Sequence, residues 1–273
     1  MQIDNCVALI TGASAGIGRE FARLLAPRAQ TLVLIARRQD KLQELSAELR
    51  RINPRLIVYL RHLDLTQRNQ IADLPLWLKE TGVSVDLLIN NAGLGDMGTF
   101  ATSDPERIQQ MLDVNMGALT QLTRLLLPEM LTGKRGGILN VSSSAGFVPI
   151  SGFAVYAATK AYVNSFSEAL RAEVARNGIS VCSLCPGPVH TEFSEVASRP
   201  GGPPQPSAPE FVYVSATEVA AAGLAAIEND RPLVIPGGVM KVAMFITRLT
   251  PLWVNRLLSK ATALRRGVQL SED

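Results

Sequence analysis

The chain has few cysteines, few aromatic residues and little net charge. Its 273 residues include three cysteines and two histidines, and the formal net charge is +3. Three cysteines are too few for the disulfide framework of a small secreted domain. A charge this close to zero gives no indication of nucleic-acid binding. Because 47% of the residues are hydrophobic, we expect a globular protein with a large buried core.

Cys182 and Cys185 have the spacing of redox and metal-binding motifs, but the surrounding sequence favours another interpretation. Both lie in the apolar run Ile179–Cys185, which predicts a strand. Residues three apart on a strand point to opposite faces, so the pair could neither close a disulfide easily nor share a metal. The sequence therefore predicts two ordinary core cysteines and no metal site.

The distribution of apolar and charged residues indicates neither a targeting segment nor a membrane-spanning segment. The N-terminus has no basic leader, and the longest uncharged stretch, residues 136–159, is interrupted by serines, glycines and a proline. We therefore expect neither a cleaved signal peptide nor a membrane span, and we predict a cytoplasmic location.

Short apolar runs alternate with helical patterns along most of the chain. Apolar runs without polar alternation, separated by helices, are typical of a parallel sheet covered on both faces. We predict an α/β fold with a doubly wound, seven-stranded parallel sheet. The predicted strands are Cys6–Ile10, Thr31–Ala36, Leu56–Leu60, Val85–Ile89, Gly137–Val141, Ile179–Cys185 and Leu233–Ile235, and helical patterns cover about Ile17–Ala26, Asp40–Arg51, Pro105–Leu131 and Tyr156–Asn177.

Two segments depart from the alternation. Residues 192–217 are rich in proline and glycine, which predicts a mobile loop without helix or strand. The tail after Pro236 lies beyond the last predicted strand, so we divide the chain into a main domain, residues 1–236, and a C-terminal extension, residues 237–273.

The C-terminal extension mixes apolar residues with cations. Residues 239–266 contain six cations and no acidic residue. The segment could be a helix pair packed on the domain with its cations outward, or a basic amphipathic surface that contacts an anionic membrane or covers an apolar substrate. Pro251 divides the pattern into short pieces, which favours the packed helix pair.

A glycine-rich segment, Thr11-Gly-Ala-Ser-Ala-Gly-Ile-Gly18, connects the first predicted strand to the first helix. Gly12 can form the tight turn, Gly16 can let the backbone approach a pyrophosphate, and Gly18 can let the helix pack closely on the sheet. The start of the helix, at Ile17, then offers free N–H groups to phosphates. This arrangement predicts a Rossmann-like dinucleotide site.

The end of the second strand predicts which dinucleotide binds. A carboxylate there accepts from the ribose 2′-OH of NAD, but this chain has Ala36-Arg37-Arg38. Arg37 can pair with a 2′-phosphate, and the Ser14 hydroxyl could add a contact. The cofactor is therefore predicted to be NADP(H), with a solvated helix start as the alternative. Asp64 could accept from the adenine amino group or could cap its own loop.

Tyr156 and Lys160 lie one helical turn apart at the start of a long helical pattern. A nearby ammonium lowers the pKa of a phenol, so Tyr156 could exchange a proton with a carbonyl or alcohol oxygen. A serine just after the fifth predicted strand could hold that oxygen. Ser142, Ser143 and Ser144 are all candidates on sequence grounds alone.

Together these motifs resemble the short-chain dehydrogenase/reductase superfamily, over about residues 5–236. The resemblance rests on the glycine loop, Asn90-Asn-Ala-Gly93, Asn115, Asn140-Val-Ser-Ser143, Tyr156-x-x-x-Lys160 and Pro186-Gly187.

The resemblance implies a role for each of these motifs. Ser143 is the catalytic serine, Tyr156 the acid/base, and Lys160 both the charge that lowers its pKa and a ligand of the nicotinamide ribose. Asn115 holds a water that links Lys160 to solvent. The resemblance also implies that Asn90 braces the sheet and that the cofactor is contacted by Asn91, Ala92, Gly93, Pro186, Gly187, Val189 and Thr191.

We therefore expect an NADP(H)-dependent oxidoreductase that acts on a carbonyl or secondary alcohol. The alternatives are a catalytically silent NADP(H) sensor and another reaction of the superfamily, epimerisation or C=C reduction. The expected pocket is mostly apolar, which indicates a hydrophobic small-molecule substrate. The resemblance also implies a homodimer or homotetramer formed through the long helices around 105–131 and 156–177. The candidate substrate-lining residues are Leu94, Gly95, Phe147, Val148, Phe153 and Phe193.

Overall fold

A computed structural model describes residues 1–199, 208–250 and Val254. Seven parallel strands form one sheet in the order β3-β2-β1-β4-β5-β6-β7, which confirms the predicted Rossmann-like fold. The strands are β1 (Val7–Thr11), β2 (Thr31–Ala36), β3 (Ile57–His62), β4 (Leu87–Asn90), β5 (Gly136–Val141), β6 (Ile179–Leu184) and β7 (Leu233–Val234).

Helices cover both faces of this sheet. They are α1 (Gly16–Leu25), α2 (Gln39–Ile52), α3 (Arg68–Ala72), α4 (Leu74–Glu80), α5 (Pro105–Leu112), α6 (Leu119–Gly133), α7 (Ala154–Val174), α8 (Phe193–Ala197), α9 (Ala216–Glu228) and α10 (Gly238–Leu249).

The buried core lies in two layers, one on each side of the sheet. One layer joins the strands to α1, α2 and α9 through side chains such as Phe21, Leu45 and Val219. The other joins them to α4, α5, α6 and α7 through side chains such as Leu78 and Leu122. Because both faces are covered, every residue of β2, β5 and β6 is buried, and this explains their apolar sequences.

The strand order reverses between β1 and β4. Strands β2 and β3 extend the sheet on one side of β1, whereas β4 to β7 extend it on the other. At such a point the loops that follow neighbouring strands diverge and leave a crevice at the carboxyl edge of the sheet. The loops after β1, β4, β5 and β6 meet there, and they carry the predicted motifs.

The predicted helix Pro105–Leu131 is present without a break, but its α-helical repeat changes in the middle. Helix α5 ends at Leu112, and a π-helical turn, Asp113–Ala118, precedes α6. A π turn inserts one extra residue into the helical repeat and is often found at functional sites. Here its physical basis is Asn115, whose buried side chain bonds to the backbone of Leu94.

The prediction that residues 192–217 contain no helix or strand is wrong in part. Helix α8 and a 3-10 turn, Glu210–Val212, lie in this segment, and Ser198 forms a β-bridge with Met97. The prolines and glycines dominated the prediction, but Ala197 is buried and Phe193 packs against the core. The mobility stays a prediction, and residues 200–207 lie outside the described ones.

The C-terminal extension begins with α10, which packs over the cavity at the carboxyl edge of the sheet. A Cβ atom on Gly187 would lie 2.8 Å from the terminal methyl of Met240, so this helix lies close to the loop after β6. The second helix of the predicted pair falls on residues outside the described part of the chain. None of the helices that the structure describes is long and apolar enough to cross a bilayer.

Candidate active site

A cavity of about 790 Å³ lies at the carboxyl edge of the sheet. The loops that follow β1, β2, β3, β4, β5 and β6 contribute to it, together with α7, α8 and α10. Most predicted site residues line this cavity: Gly12, Ser14, Gly16, Ile17, Arg37, Asp64, Asn91, Ala92, Gly93, Leu94, Ser143, Val148, Phe153, Tyr156, Lys160, Pro186, Gly187, Val189, Thr191 and Phe193.

The glycine loop has the backbone that a phosphate site needs. Gly12 and Gly16 have φ values of 64° and 51°, a region that L side chains rarely adopt. A Cβ atom on Gly18 would collide with the carbonyl oxygen of Gly12 and lie 2.5 Å from Nδ2 of Asn91. Gly18 itself does not line the cavity but lets α1 pack this closely.

The first turn of α1 faces the cavity. Its N-cap residue, Ala15, offers no side-chain hydrogen bond to the free N–H groups, and the first turn has no acidic residue. Ala15, Gly16 and Ile17 line the cavity. Backbone N–H groups at such a terminus, together with the positive end of the helix dipole, bind anions.

Two arginines lie at the end of the cavity beside β2. Arg37 and Arg38 line the cavity and are exposed. The Arg38 guanidinium donates to Oε2 of Glu192 at 2.8 Å and to Oγ of Ser14 at 3.4 Å. These are the residue types that a 2′-phosphate requires.

Asp64 caps its own loop. Its Oδ1 atom accepts from the backbone N–H and the hydroxyl of Thr66, both at 3.0 Å. Of the two roles left open by the sequence, this geometry directly supports the loop cap, although Asp64 also lines the cavity.

Asn90 and Asn91 hold the glycine loop and two strands together. The Asn91 side chain donates to the carbonyl oxygen of Thr11 at 2.9 Å. The Asn90 side chain donates to Asn140 at 2.9 Å and to Thr123 at 3.1 Å, which links β4 to β5 and α6. The resemblance implied this bracing role for Asn90, and the hydrogen bonds agree with it.

Ser143, Tyr156 and Lys160 converge at the centre of the cavity. The side chains of Ser143 and Tyr156 line the cavity together, and the Ser143 hydroxyl is placed to lower the pKa of the phenol. The Lys160 ammonium lies 5.6 Å from the centroid of the Tyr156 ring and donates to the carbonyl oxygen of Val141 at 2.9 Å. Ser142 instead donates to the backbone of Lys160 at 2.9 Å, so the geometry favours Ser143 as the serine that meets a substrate.

Burial is the largest effect on the pKa values of Tyr156 and Lys160. It raises the pKa of Tyr156 to about 12, although the nearby Ser143 hydroxyl opposes the increase. Burial also lowers the pKa of Lys160 to about 8. The Tyr156 pKa is therefore raised rather than lowered as expected, because burial of the phenolate is the largest effect on it.

Asn115 connects this group to the loop after β4. Its Oδ1 atom accepts from the Leu94 N–H at 2.8 Å, and its Nδ2 atom donates to the Leu94 carbonyl at 2.9 Å and to Thr159 at 3.0 Å. Asn115 does not line the cavity, but it fixes the loop beside Lys160. The water relay implied by the resemblance stays a prediction.

Two aromatic rings enclose the phenol. The Phe153 ring stacks on Tyr156 with 4.2 Å between centroids, and the Phe193 ring lies 5.3 Å away. Phe147 and Gly95 do not line the cavity, and their contacts with a substrate stay predictions. Phe147 ends a one-turn 3-10 helix, Ser144–Phe147, while Val148, the next residue, reaches the cavity.

Sequence reasoning missed several apolar residues of the cavity wall. Met240 and Met244 approach from α10, four residues apart on one face of the helix. That spacing was visible in the sequence, but the role of the helix was not. Other missed residues include Met97, Val114, Ile150 and Val196.

All three cysteines are buried and free. Among the described residues, no three His, Cys, Asp or Glu side chains form a group that could hold a metal ion.

The fold and the site define a class of protein: a dinucleotide-binding α/β protein with a Ser–Tyr–Lys group in its cavity. The family described as short chain dehydrogenase matches residues 6–200, and the chain belongs to this family.

The chain is also similar to characterised relatives and solved structures. The NADP-dependent 3-hydroxy acid dehydrogenase YdfG of Escherichia coli is 36% identical over 192 residues, which cover 70% of this chain and 75% of that protein. A short-chain dehydrogenase from Sphingobium yanoikuyae in complex with NADPH is 28% identical, with a TM-score of 0.75 and 98% coverage of both chains. The bulky-bulky ketone specific alcohol dehydrogenase from Comamonas testosteroni is 28% identical, with a TM-score of 0.74 and coverage of 98% and 96%.

The cavity fits the dinucleotide of this family on its own residues. The uncapped first turn of α1 can receive the pyrophosphate, and the arginines after β2 can receive a 2′-phosphate. At the other end, Tyr156 and Lys160 face the residues after β6, Pro186, Gly187 and Val189, which line the same cavity.

Proposed function

We propose that the protein is an NADP(H)-dependent oxidoreductase that interconverts a ketone and a secondary alcohol. The observation that carries this proposal is the convergence of Ser143, Tyr156 and Lys160 in a cavity whose far end has arginines and an uncapped helix terminus. The NADP-dependent relative and the NADPH-bound neighbour support the choice of cofactor. When bound, NADP(H) supplies or accepts the hydride.

The protein residues then handle the substrate oxygen and its proton. Tyr156 donates a proton to the carbonyl oxygen during reduction and accepts one from the alcohol during oxidation. Ser143 holds the same oxygen and stabilises the negative charge that develops on it. Lys160 would favour the phenolate as a positive charge and would hold the nicotinamide ribose when the cofactor is bound. Asn115 orders the water through which Lys160 exchanges protons with solvent.

The substrate is an apolar or bulky carbonyl compound. Aromatic rings flank the reactive phenol, and Leu94, Met240 and Met244 add apolar surface to the cavity. A ketone with apolar groups on both sides would bury them against these walls. The neighbour that acts on bulky ketones supports this substrate class, and efficient turnover of small charged keto acids alone would contradict it.

Two other functions compete with this one. A silent NADP(H) sensor would need the cofactor site but not the Ser143, Tyr156 and Lys160 side chains together in one cavity. Epimerisation or C=C reduction would use the same fold, but a serine that holds an oxygen beside the phenol favours chemistry at C=O and C–OH.

Tyr156→Phe tests the proposal. The variant keeps the ring that packs between Phe153 and Phe193 and removes only the hydroxyl. We expect kcat for ketone reduction to fall by about 10²–10⁴, while the Kd for NADPH, measured by its fluorescence, stays within about twofold. Ketone reduction that continues at the wild-type rate would refute the assigned role, and no turnover of any ketone by the wild type would favour the sensor.

We also propose a homodimer or homotetramer formed through α5, α6 and α7. The family resemblance supports this assembly, and it predicts a mass of two or four times the 29.4 kDa chain in light scattering. A monomer at micromolar concentration would contradict it.

We further propose that α10 rests on an anionic membrane surface. Val242, Phe245, Ile246 and Leu249 are 58–70% exposed on this helix, while Met240 and Met244 line the cavity. The chain has no acidic residue between Arg231 and Leu270, so its charge is complementary to anionic lipids. An apolar substrate could then enter from the bilayer.

Flotation tests this contact with vesicles of phosphatidylglycerol and, in parallel, phosphatidylcholine. The full chain should float with the anionic vesicles only, and Phe245→Glu should reduce flotation. Phe100→Glu is the matched control, because Phe100 is 64% exposed elsewhere on the surface. No flotation, or equal flotation of both variants, would refute the membrane contact. A Phe245→Glu variant that fails to associate in light scattering would instead assign the face to a second copy of the chain.

A further inference from the structure

An ion pair crosses the cavity at the end beside β2. Oε2 of Glu192 accepts from the Arg38 guanidinium at 2.8 Å, although the two residues are 154 positions apart in the chain. Arg38 is the N-cap of α2, and Glu192 directly precedes α8. Both residues line the cavity, so the pair joins the two segments that flank it.

The same arginine is placed to bind a 2′-phosphate. It follows β2, where the ribose of a dinucleotide lies in this fold. Its guanidinium is also within 3.4 Å of Oγ of Ser14 in the glycine loop. In the described structure the guanidinium therefore has an anionic partner, the carboxylate of Glu192, at the place where the cofactor would present a second anion.

A carboxylate and a phosphate beside one guanidinium oppose each other. Their negative charges repel, and only one of them can take the best bidentate geometry on the arginine. Glu192 therefore disfavours the dinucleotide that carries the 2′-phosphate more than the one that lacks it. This effect opposes the preference that the arginines create.

We propose that Glu192 competes with the 2′-phosphate of NADP(H) for Arg38 and thereby limits the selectivity of the enzyme for NADP(H) over NAD(H). The inference rests on the proposed cofactor but not on the proposed chemistry at Tyr156. The 44% and 54% exposure of the two side chains makes the effect moderate. Exposed ion pairs change an equilibrium by up to about fivefold.

The test measures binding of two nucleotide fragments by calorimetry, without turnover. Adenosine 2′,5′-bisphosphate carries the 2′-phosphate, and 5′-AMP differs from it only by lacking that group. The Kd for 5′-AMP divided by the Kd for adenosine 2′,5′-bisphosphate is the selectivity ratio, and a larger ratio means stronger preference for the 2′-phosphate. Glu192→Gln should increase this ratio by about two- to fivefold, whereas Arg38→Gln should decrease it. Glu195→Gln is the matched control, because Glu195 is an exposed carboxylate in α8, three residues from Glu192, and does not line the cavity.

The double variant separates competition from a general change in charge. If Glu192 acts mainly through Arg38, then Glu192→Gln should increase the ratio much less in the Arg38→Gln background, where only the direct charge repulsion remains. An equal increase with and without Arg38 would overturn the proposal. So would an unchanged or smaller ratio in Glu192→Gln alone, or an Arg38→Gln variant with wild-type selectivity. Because both fragments lack the nicotinamide, failure of the proposed reaction at Tyr156 would not alter these results.

Discussion

Lys160→Met should stabilise the cofactor-free protein at neutral pH. Lys160 is only 4% exposed, and burial lowers the pKa of its ammonium to about 8 from an ordinary value of 10.5. At pH 7 the ammonium is nevertheless protonated in both the folded and the unfolded chain, so the folded state bears the full cost of burying a charge. Methionine has a similar length and no charge.

The size of the effect follows from the two pKa values. A difference between about 8 and 10.5 corresponds to about 3 kcal/mol at 1.36 kcal/mol per pKa unit. The variant also loses the hydrogen bond to the Val141 carbonyl, which contributes about 1 kcal/mol. The free energy of unfolding should therefore rise by about 2 kcal/mol at pH 7.

The dependence on pH identifies the cause. Between pH 8 and 10.5 the unfolded chain binds more protons than the folded one, so wild-type stability rises with pH through this interval relative to the variant. The stability advantage of Lys160→Met over the wild type should therefore shrink toward zero, or reverse, as the pH rises through this interval.

Urea denaturation at pH 7 and pH 10 measures the change. Lys79→Met provides the control, because Lys79 is exposed on α4. A Lys160→Met variant that is less stable than the wild type at pH 7, or an advantage that stays constant up to pH 10, would refute the reasoning.

Three further changes test other parts of the structure. Arg199→Met removes the two short hydrogen bonds of the Asp96 carboxylate, whose side chain is 8% exposed. We expect the free energy of unfolding, measured by urea denaturation, to fall by about 2–4 kcal/mol. Because this ion pair lowers the pKa of Asp96, that loss should diminish as the pH falls below 4. Gly18→Ala places a methyl group against the Gly12 carbonyl and should weaken NADPH binding by more than about tenfold in fluorescence titration, with thermal denaturation as the check on folding. Met244→Gln puts a polar amide into the cavity wall and should raise KM for bulky ketones by about three- to tenfold with little change in kcat.

The parts of the fold that follow from local pattern could be predicted from the sequence. A strand buried on both faces needs an uninterrupted apolar run, so β2 and β5 were found with little or no error. The glycine loop was found because positive φ at Gly12 and Gly16 restricts the residue type. Most of the cavity-lining residues could be predicted because they belong to motifs that directly follow the ends of predicted strands.

The rest depends on contacts between distant segments. The π turn at Asn115 exists because its amide bonds to Leu94, which no periodicity reveals. Helix α8 forms among prolines because Phe193 reaches the phenol. Burial also decides the sign of the Tyr156 pKa shift, whereas the sequence shows only that a lysine lies one turn away.

Deuteride transfer tests the central claim most directly. The protein would be incubated with a bulky aromatic ketone and NADPH that carries deuterium at both C4 positions of its ring, and the alcohol would be analysed by mass spectrometry. We predict one deuterium per molecule of product, bonded to the carbon that bears the hydroxyl group. Deuterium at a neighbouring carbon, or no alcohol product from any ketone, would contradict carbonyl reduction by this site.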